Sequence, residues 1–212
     1  MTLVHPLLAP ERLRAALGPD GVRGLEDMLA TLAGDPLRLG RLFPGAARRT
    51  ARGDLGDGHR LEDAVRVELV GAAAAGLGPD ALLAELGELY RYGDADEKRA
   101  VLLALGAVAH PGVDGADLLL DALRTNDVRL VAAAMGPHAD RLSAHDWRHG
   151  VLKCLFVGVP LGAVDRLADR TDAELLAMVR RYAAEREAAG RPVPDDAVRL
   201  LASTASTTDP EG

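Results

Sequence analysis

The stretch Ala81-Leu82-Leu83-Ala84-Glu85-Leu86-Gly87-Glu88-Leu89-Tyr90-Arg91-Tyr92-Gly93-Asp94-Ala95-Asp96-Glu97-Lys98-Arg99-Ala100-Val101-Leu102-Leu103-Ala104-Leu105 decides the fold. Its first half puts Leu82, Leu83, Leu86, Leu89 and Tyr90 on one broad face, with Glu85 and Glu88 off it. That is helical spacing, and it predicts a helix at about 80–90. Tyr92-Gly93-Asp94 breaks the pattern. Asp94 and Glu97 then stand three apart, the spacing of a capping box. Val101, Leu102, Leu105 and Val108 resume the period on a second helix. Two amphipathic helices joined by so short a turn are the unit from which stacked helix pairs are built.

The same cadence extends both ways. Upstream, Gly76-Leu77-Gly78-Pro79 sets off a helix striped by Leu61, Val65, Leu69 and Ala72. Before it, Arg48-Arg49-Thr50-Ala51-Arg52 runs into Gly53–His59, a loop by composition. Residues 9–17 and 22–33 read as two helices parted by Gly18-Pro19-Asp20-Gly21, and Leu37 to Phe43 as a helical turn before Pro44. Downstream, helices are expected at 114–124 and 127–135. Another starts at a Ser143–Asp146 cap and runs to Gly158. A long one at 172–188 is capped by Thr171 and Glu174, and one or two turns follow at 195–201. Residues 203–212 have almost nothing to bury and read as a disordered tail. No stretch reads convincingly as a strand.

Composition agrees. The chain has 38 Ala and 36 Leu, no Ile and only 3% aromatics, so helix formers dominate and strand formers are thin. The expectation is an all-α single domain over 1–202, built of stacked antiparallel helix pairs of the HEAT-like, α-solenoid type. No repeat of fixed period stands out. The net charge of -7 argues against broad nucleic-acid binding, which needs a positive field. One Cys permits no intramolecular disulfide. The first residues lack a basic region followed by a long apolar run, so no signal peptide is expected. Apolar runs break well before the roughly 18 residues that would span a bilayer. A soluble, cytoplasmic protein is expected.

Few residues form a catalytic pattern. His145 and His149 lie i, i+4 and share a helix face, but Asp146-Trp147-Arg148 between them lacks the Glu of a zinc-protease motif. With no obvious third ligand, no metal site and no cofactor is expected. Cys154 sits in the apolar run Leu152–Val157 and reads as a core residue. No nucleophile elbow, P-loop or dinucleotide fingerprint is present. Glu62, Asp63 and Glu68 read as cap and surface residues. Two polar clusters are unusual. One is Tyr90 to Arg99, where two of the three Tyr stand beside both signs of charge. The other joins Arg124-Thr125-Asn126-Asp127 to the helix from Trp147 to Lys153. The first reads either as an ordinary helix–helix turn with ion pairs or as one rim of a binding groove, and the second either as a Trp packed against a loop or as the other rim.

These residues carry a family resemblance. Leu89-Tyr90-Arg91-Tyr92-Gly93-Asp94, followed by Glu97-Lys98-Arg99-Ala100-Val101-Leu102, resembles the L-Y-R-x-G-D…E-K-R-A-V-L signature of the EboA family. Arg124-Thr125-Asn126 matches its R-T-N, and Trp147 with Val151-Leu152-Lys153 matches part of its W-N-Q-M-V-L-K segment. The likeness covers roughly residues 60–190. The chain departs from the pattern at Arg148-His149-Gly150, where the family has Asn-Gln-Met, and at Leu123, where Cys is usual. It reads as a divergent member. The resemblance implies an accessory protein in making or moving secondary metabolites, without an established reaction. Implied partners are other proteins of the ebo gene cluster, a membrane prenyltransferase among them. A local positive patch would suit an anionic small molecule. Candidate ligand-binding residues are Tyr90, Arg91, Asp94, Lys98, Arg124, Asn126, Trp147 and Lys153. The alternative is an enzyme acting on an anionic metabolite with Tyr90, Asp94, Arg124 and Lys153.

Overall fold

A computed structural model describes residues 3–56, 58–110 and 112–205. Twelve α-helices dominate them: α1 (Pro10–Gly34), α2 (Leu39–Leu42), α3 (Ala46–Arg49), α4 (Leu61–Ala74), α5 (Pro79–Tyr92), α6 (Ala95–Ala107), α7 (Ala116–Arg124), α8 (Val128–Ala134), α9 (Ala144–Val157), α10 (Leu167–Arg170), α11 (Ala173–Ala188) and α12 (Asp195–Ala205). The fold class is all-α, as the Ala/Leu periodicity predicts. The expected tail begins three residues too early, because α12 runs through Ala205. The rest of that stretch, 206–212, lies outside the described residues.

The two helices expected before residue 34 are both present, joined end to end within α1 across a kink at Gly18. Gly18 takes φ +67°, which a side chain would resist, and Pro19 follows without an N–H to donate. The first helical run ends at Gly18, and the second follows directly from Pro19, three residues before its expected start at 22. Four short strands escaped the sequence reading. β1 (Leu3–Val4) pairs antiparallel with β4 (Val108–Ala109), and β2 (Asp54–Gly56) with β3 (His59–Arg60), where a loop was expected. Strands of two or three residues are too short to show an alternating pattern.

The chain divides into two compact units, Met1–Asp121 and Ala122–Gly212. In the first, α4 packs chiefly against α6 and α1. Eleven of its 14 residues are buried, so it is a central helix rather than an amphipathic surface one. In the second, α8 lies against α9, and α11 lies against α12 and α9. Trp147 and Cys154 of α9 are fully buried there, with Val151 between them.

Candidate functional site

Because α4 is central, three of its four charged residues face the interior, Glu68 being half-buried. Glu62, Asp63 and Arg66 are buried, as is Arg99 of α6, so the surface reading of Glu62 and Asp63 is corrected. Burial pushes the Glu62 carboxyl up, but Arg60 Nε donates to its Oε1 at 2.7 Å and the Gly53 N–H to its Oε2 at 3.2 Å. The outcome is a pKa below the ordinary value. Asp63 is completely buried, and that burial raises its pKa even though Arg99 Nη2 stands 2.7 Å from Oδ2. Arg66 reaches outward from α4. Its Nε donates to the Phe43 carbonyl at 3.3 Å, its guanidinium lies 5.4 Å over the Phe43 ring, and its Nη2 is 3.8 Å from Glu97 Oε1.

Glu97 leads to the turn between α5 and α6. Its backbone N–H donates to Asp94 Oδ1 at 2.9 Å, and its Oε2 accepts from the Asp94 N–H at 3.0 Å. This is the capping box read in the sequence. Tyr90 is buried on α5 and donates its hydroxyl to Asp121 Oδ2 at 3.1 Å. Burial, reinforced by the Asp121 carboxylate, raises its pKa. Lys98 Nζ lies 5.2 Å over the Tyr90 ring. Arg91 turns outward and pairs with Glu88 at 3.0 Å. Of the four expected residues on this unit, Tyr90 and Lys98 therefore meet, Asp94 is engaged in the cap, and Arg91 is held by a neighbour on its own helix.

Beside this turn lies a cleft of about 220 Å³. Gly40 of α2 and Pro44 form one wall. Glu85, Glu88, Leu89 and Tyr92 of α5 form the other, completed by Gly93 and Glu97. Tyr92 stands 76% exposed at its edge. Sequence reasoning assigned no role to Glu85, Gly40 or Pro44. An off-face Glu on an amphipathic helix looks solvated, and only the arrival of α2 makes it part of a wall.

The second unit holds the other four expected residues. Lys153 Nζ donates to Asn126 Oδ1 at 2.8 Å and lies 5.8 Å over the ring of Phe156, which is 66% exposed. Arg124 is the exposed last residue of α7. Trp147 is buried, with the Arg170 guanidinium 4.5 Å over its ring. Arg170 also donates to the carbonyls of Ala139 at 2.6 Å and Leu142 at 3.2 Å. Trp147 is thus a packing centre, while Asn126 and Lys153 are brought together on the surface. Burial pushes the Cys154 thiol up to about 12, as suits a core residue. The exposed rings of His145 and His149 are 4.4 Å apart. Among the described residues no group of three or more His, Cys, Asp or Glu is arranged to hold a metal.

The departures from the family pattern have structural counterparts. A Cβ on Gly150 would stand 2.4 Å from Met135 Sδ and 3.4 Å from Leu123 Cδ1. Leu123 is larger than the usual Cys and Gly150 smaller than the usual Met, and the two positions abut. Arg148 pairs with Asp172, the N-cap of α11, whose Oδ1 accepts from the Leu175 N–H at 2.9 Å. That ion pair holds the Asp172 carboxyl below its ordinary pKa.

Fold and geometry define a small all-α protein in which one helix–turn–helix, α5 to α6, borders a surface cleft. Residues 46–202, well over half of the chain, match the family model described as metabolite traffic protein EboA, and the chain belongs to that family. No curated protein and no solved structure matches it. Among the described residues no helix is long and apolar enough to cross a membrane.

Proposed function

We propose that this chain is an accessory protein of metabolite traffic that works by binding, and that its working surface is the cleft between α2 and α5. One observation carries the reading. Leu89, Gly93 and Glu97 belong to the stretch that resembles the family signature, and all three line the cleft. Asp94 and Arg99 of the same stretch cap the turn and anchor α6 to the core beneath it. The stretch thus builds one wall and fixes its position. The chain is proposed to act in the cytoplasm, with other proteins of the same gene cluster as partners, a membrane prenyltransferase among them. The Lys153–Asn126 pair, beside exposed Phe156, is a second surface, suited to an anionic small molecule.

Gly40→Trp tests the reading by filling the cleft from its exposed α2 wall. The variant is expected to keep the wild-type circular dichroism spectrum and melting temperature. It should also lose the partners that the wild-type chain retrieves from its native host, as read by mass spectrometry of proteins and small molecules. A folded Gly40→Trp chain that retains every partner and restores pathway output in a deletion strain overturns the reading.

A further inference from the structure

Resting on that reading, we propose that the cleft between α2 and α5 receives one arginine side chain displayed by a partner protein. Three carboxylates line it, and their electrostatic roles differ. Glu88 is paired with Arg91 at 3.0 Å. Glu97 accepts from the Asp94 N–H and faces the Arg66 guanidinium at 3.8 Å. Glu85 is the one of the three without a basic partner among the described residues. It stands across from Gly40, where a Cβ would lie 3.2 Å from its Oε2. The cleft therefore carries about one uncompensated negative charge, which calls for a single cation.

The rest of the wall selects the form of that cation. Leu89 and Pro44 give an apolar stretch for a hydrocarbon stem. Tyr92, 76% exposed at the edge, offers a ring face on which a planar guanidinium stacks. A large aromatic side chain left in solvent beside a cleft is the kind of residue that anchors protein interfaces. Size argues against a whole metabolite. At about 220 Å³ the cleft falls below the roughly 300–1,000 Å³ that encloses a drug-sized ligand. The site is also held in shape before any partner arrives. Arg66 ties both walls from behind, through the Phe43 carbonyl next to Pro44 and through Glu97, so little ordering remains to be done on binding.

The test is a nitrogen-15 NMR titration of the full chain with N-acetyl-arginine methylamide. Its neutral isostere N-acetyl-citrulline methylamide and free methylguanidine serve as comparisons. Saturable shifts are expected at the Gly40, Tyr92 and Gly93 amides with the arginine probe. They should weaken about tenfold or more with citrulline, and likewise in Glu85→Gln, one lost charge-assisted contact being of that order. Tyr92→Leu should weaken binding several-fold without touching the carboxylates. No shifts, shifts elsewhere, equal binding of citrulline, or an unchanged affinity in Glu85→Gln overturns the proposal. Methylguanidine binding as tightly as the capped arginine overturns it too, in favour of a free small cation. If Gly40→Trp abolishes partner capture while Glu85→Gln leaves the titration unchanged, the cleft keeps its role and the arginine assignment alone fails.

Discussion

Asp63 and Arg99 illustrate why single residues of this chain are hard to read from sequence. On α4, Glu62, Asp63 and Arg66 have the spacing of solvated helix charges. What makes them interior is the packing of α4 between α1 and α6, a tertiary fact that local pattern does not carry. The burial has a clear energetic consequence. Asp63 is fully buried and Arg99 nearly so, 2.7 Å apart. Removing Asp63 leaves the Arg99 guanidinium buried with only Asp96, part-exposed and 3.9 Å away, in its place, so the cost approaches the roughly 3–5 kcal/mol of a broken buried pair. Asp63→Ala is therefore expected to lower the urea midpoint severely or to prevent folding. Arg91→Ala breaks an exposed pair with Glu88 and should cost less than about 1 kcal/mol. The double variant Asp63→Leu, Arg99→Met replaces the pair by apolar groups and should recover most of the loss. A mild effect of Asp63→Ala in equilibrium unfolding would show that the pair is not dry in solution.

At the scale of elements the sequence is far more legible, because helix ends are set by local chemistry. The Asp94–Glu97 box and the Ser143 cap lie where the spacing puts them. The cap of α11 is displaced by one residue. Thr171 donates its hydroxyl back to the Leu167 carbonyl at 2.7 Å, which leaves Asp172 as the N-cap. The cleft was half legible. The stretch from Leu89 to Glu97 was singled out, but α2 across from it is a four-residue helix with no period to read. Packing between elements also brings together two positions at which the chain departs from the pattern that it resembles. Gly150 on α9, where the pattern that the chain resembles has Met, leaves room for Met135 and for Leu123, where that pattern has Cys. Gly150→Met should overpack this contact and cost about 1–3 kcal/mol. Adding Leu123→Cys should return part of that loss. The pair is in contact, so the cycle should give a coupling of roughly 0.5–3 kcal/mol. Additive effects in denaturant unfolding would mean that the two positions do not compensate each other.

For the whole molecule, the distribution of burial sets where stability concentrates. The all-α class follows from an alphabet of Ala and Leu with repeated caps, and that much was readable. Which helix is innermost was not, since the α4 stripe of Leu61, Val65, Leu69 and Ala72 looks like any amphipathic face. In fact Ala64, Val67, Val70 and Ala73, off that stripe, are buried as well. The shortness of these side chains lets neighbours approach α4 from several sides. Amides open to exchange with a free energy that rises with the buried contacts around them, up to that of global unfolding. Within the first unit the slowest hydrogen exchange is therefore expected along α4 and the facing turns of α6. Amides of α2 and of the β2–β3 hairpin should exchange orders of magnitude faster, since each element is at most four residues long and has few internal hydrogen bonds to break. Native-state exchange read by NMR or mass spectrometry checks this order. Slowest exchange in α5, whose outer face bears Glu88 and Arg91, would place the stable centre of the unit elsewhere. It would also remove the physical basis for treating α4 and Arg66 as the fixed support behind the cleft.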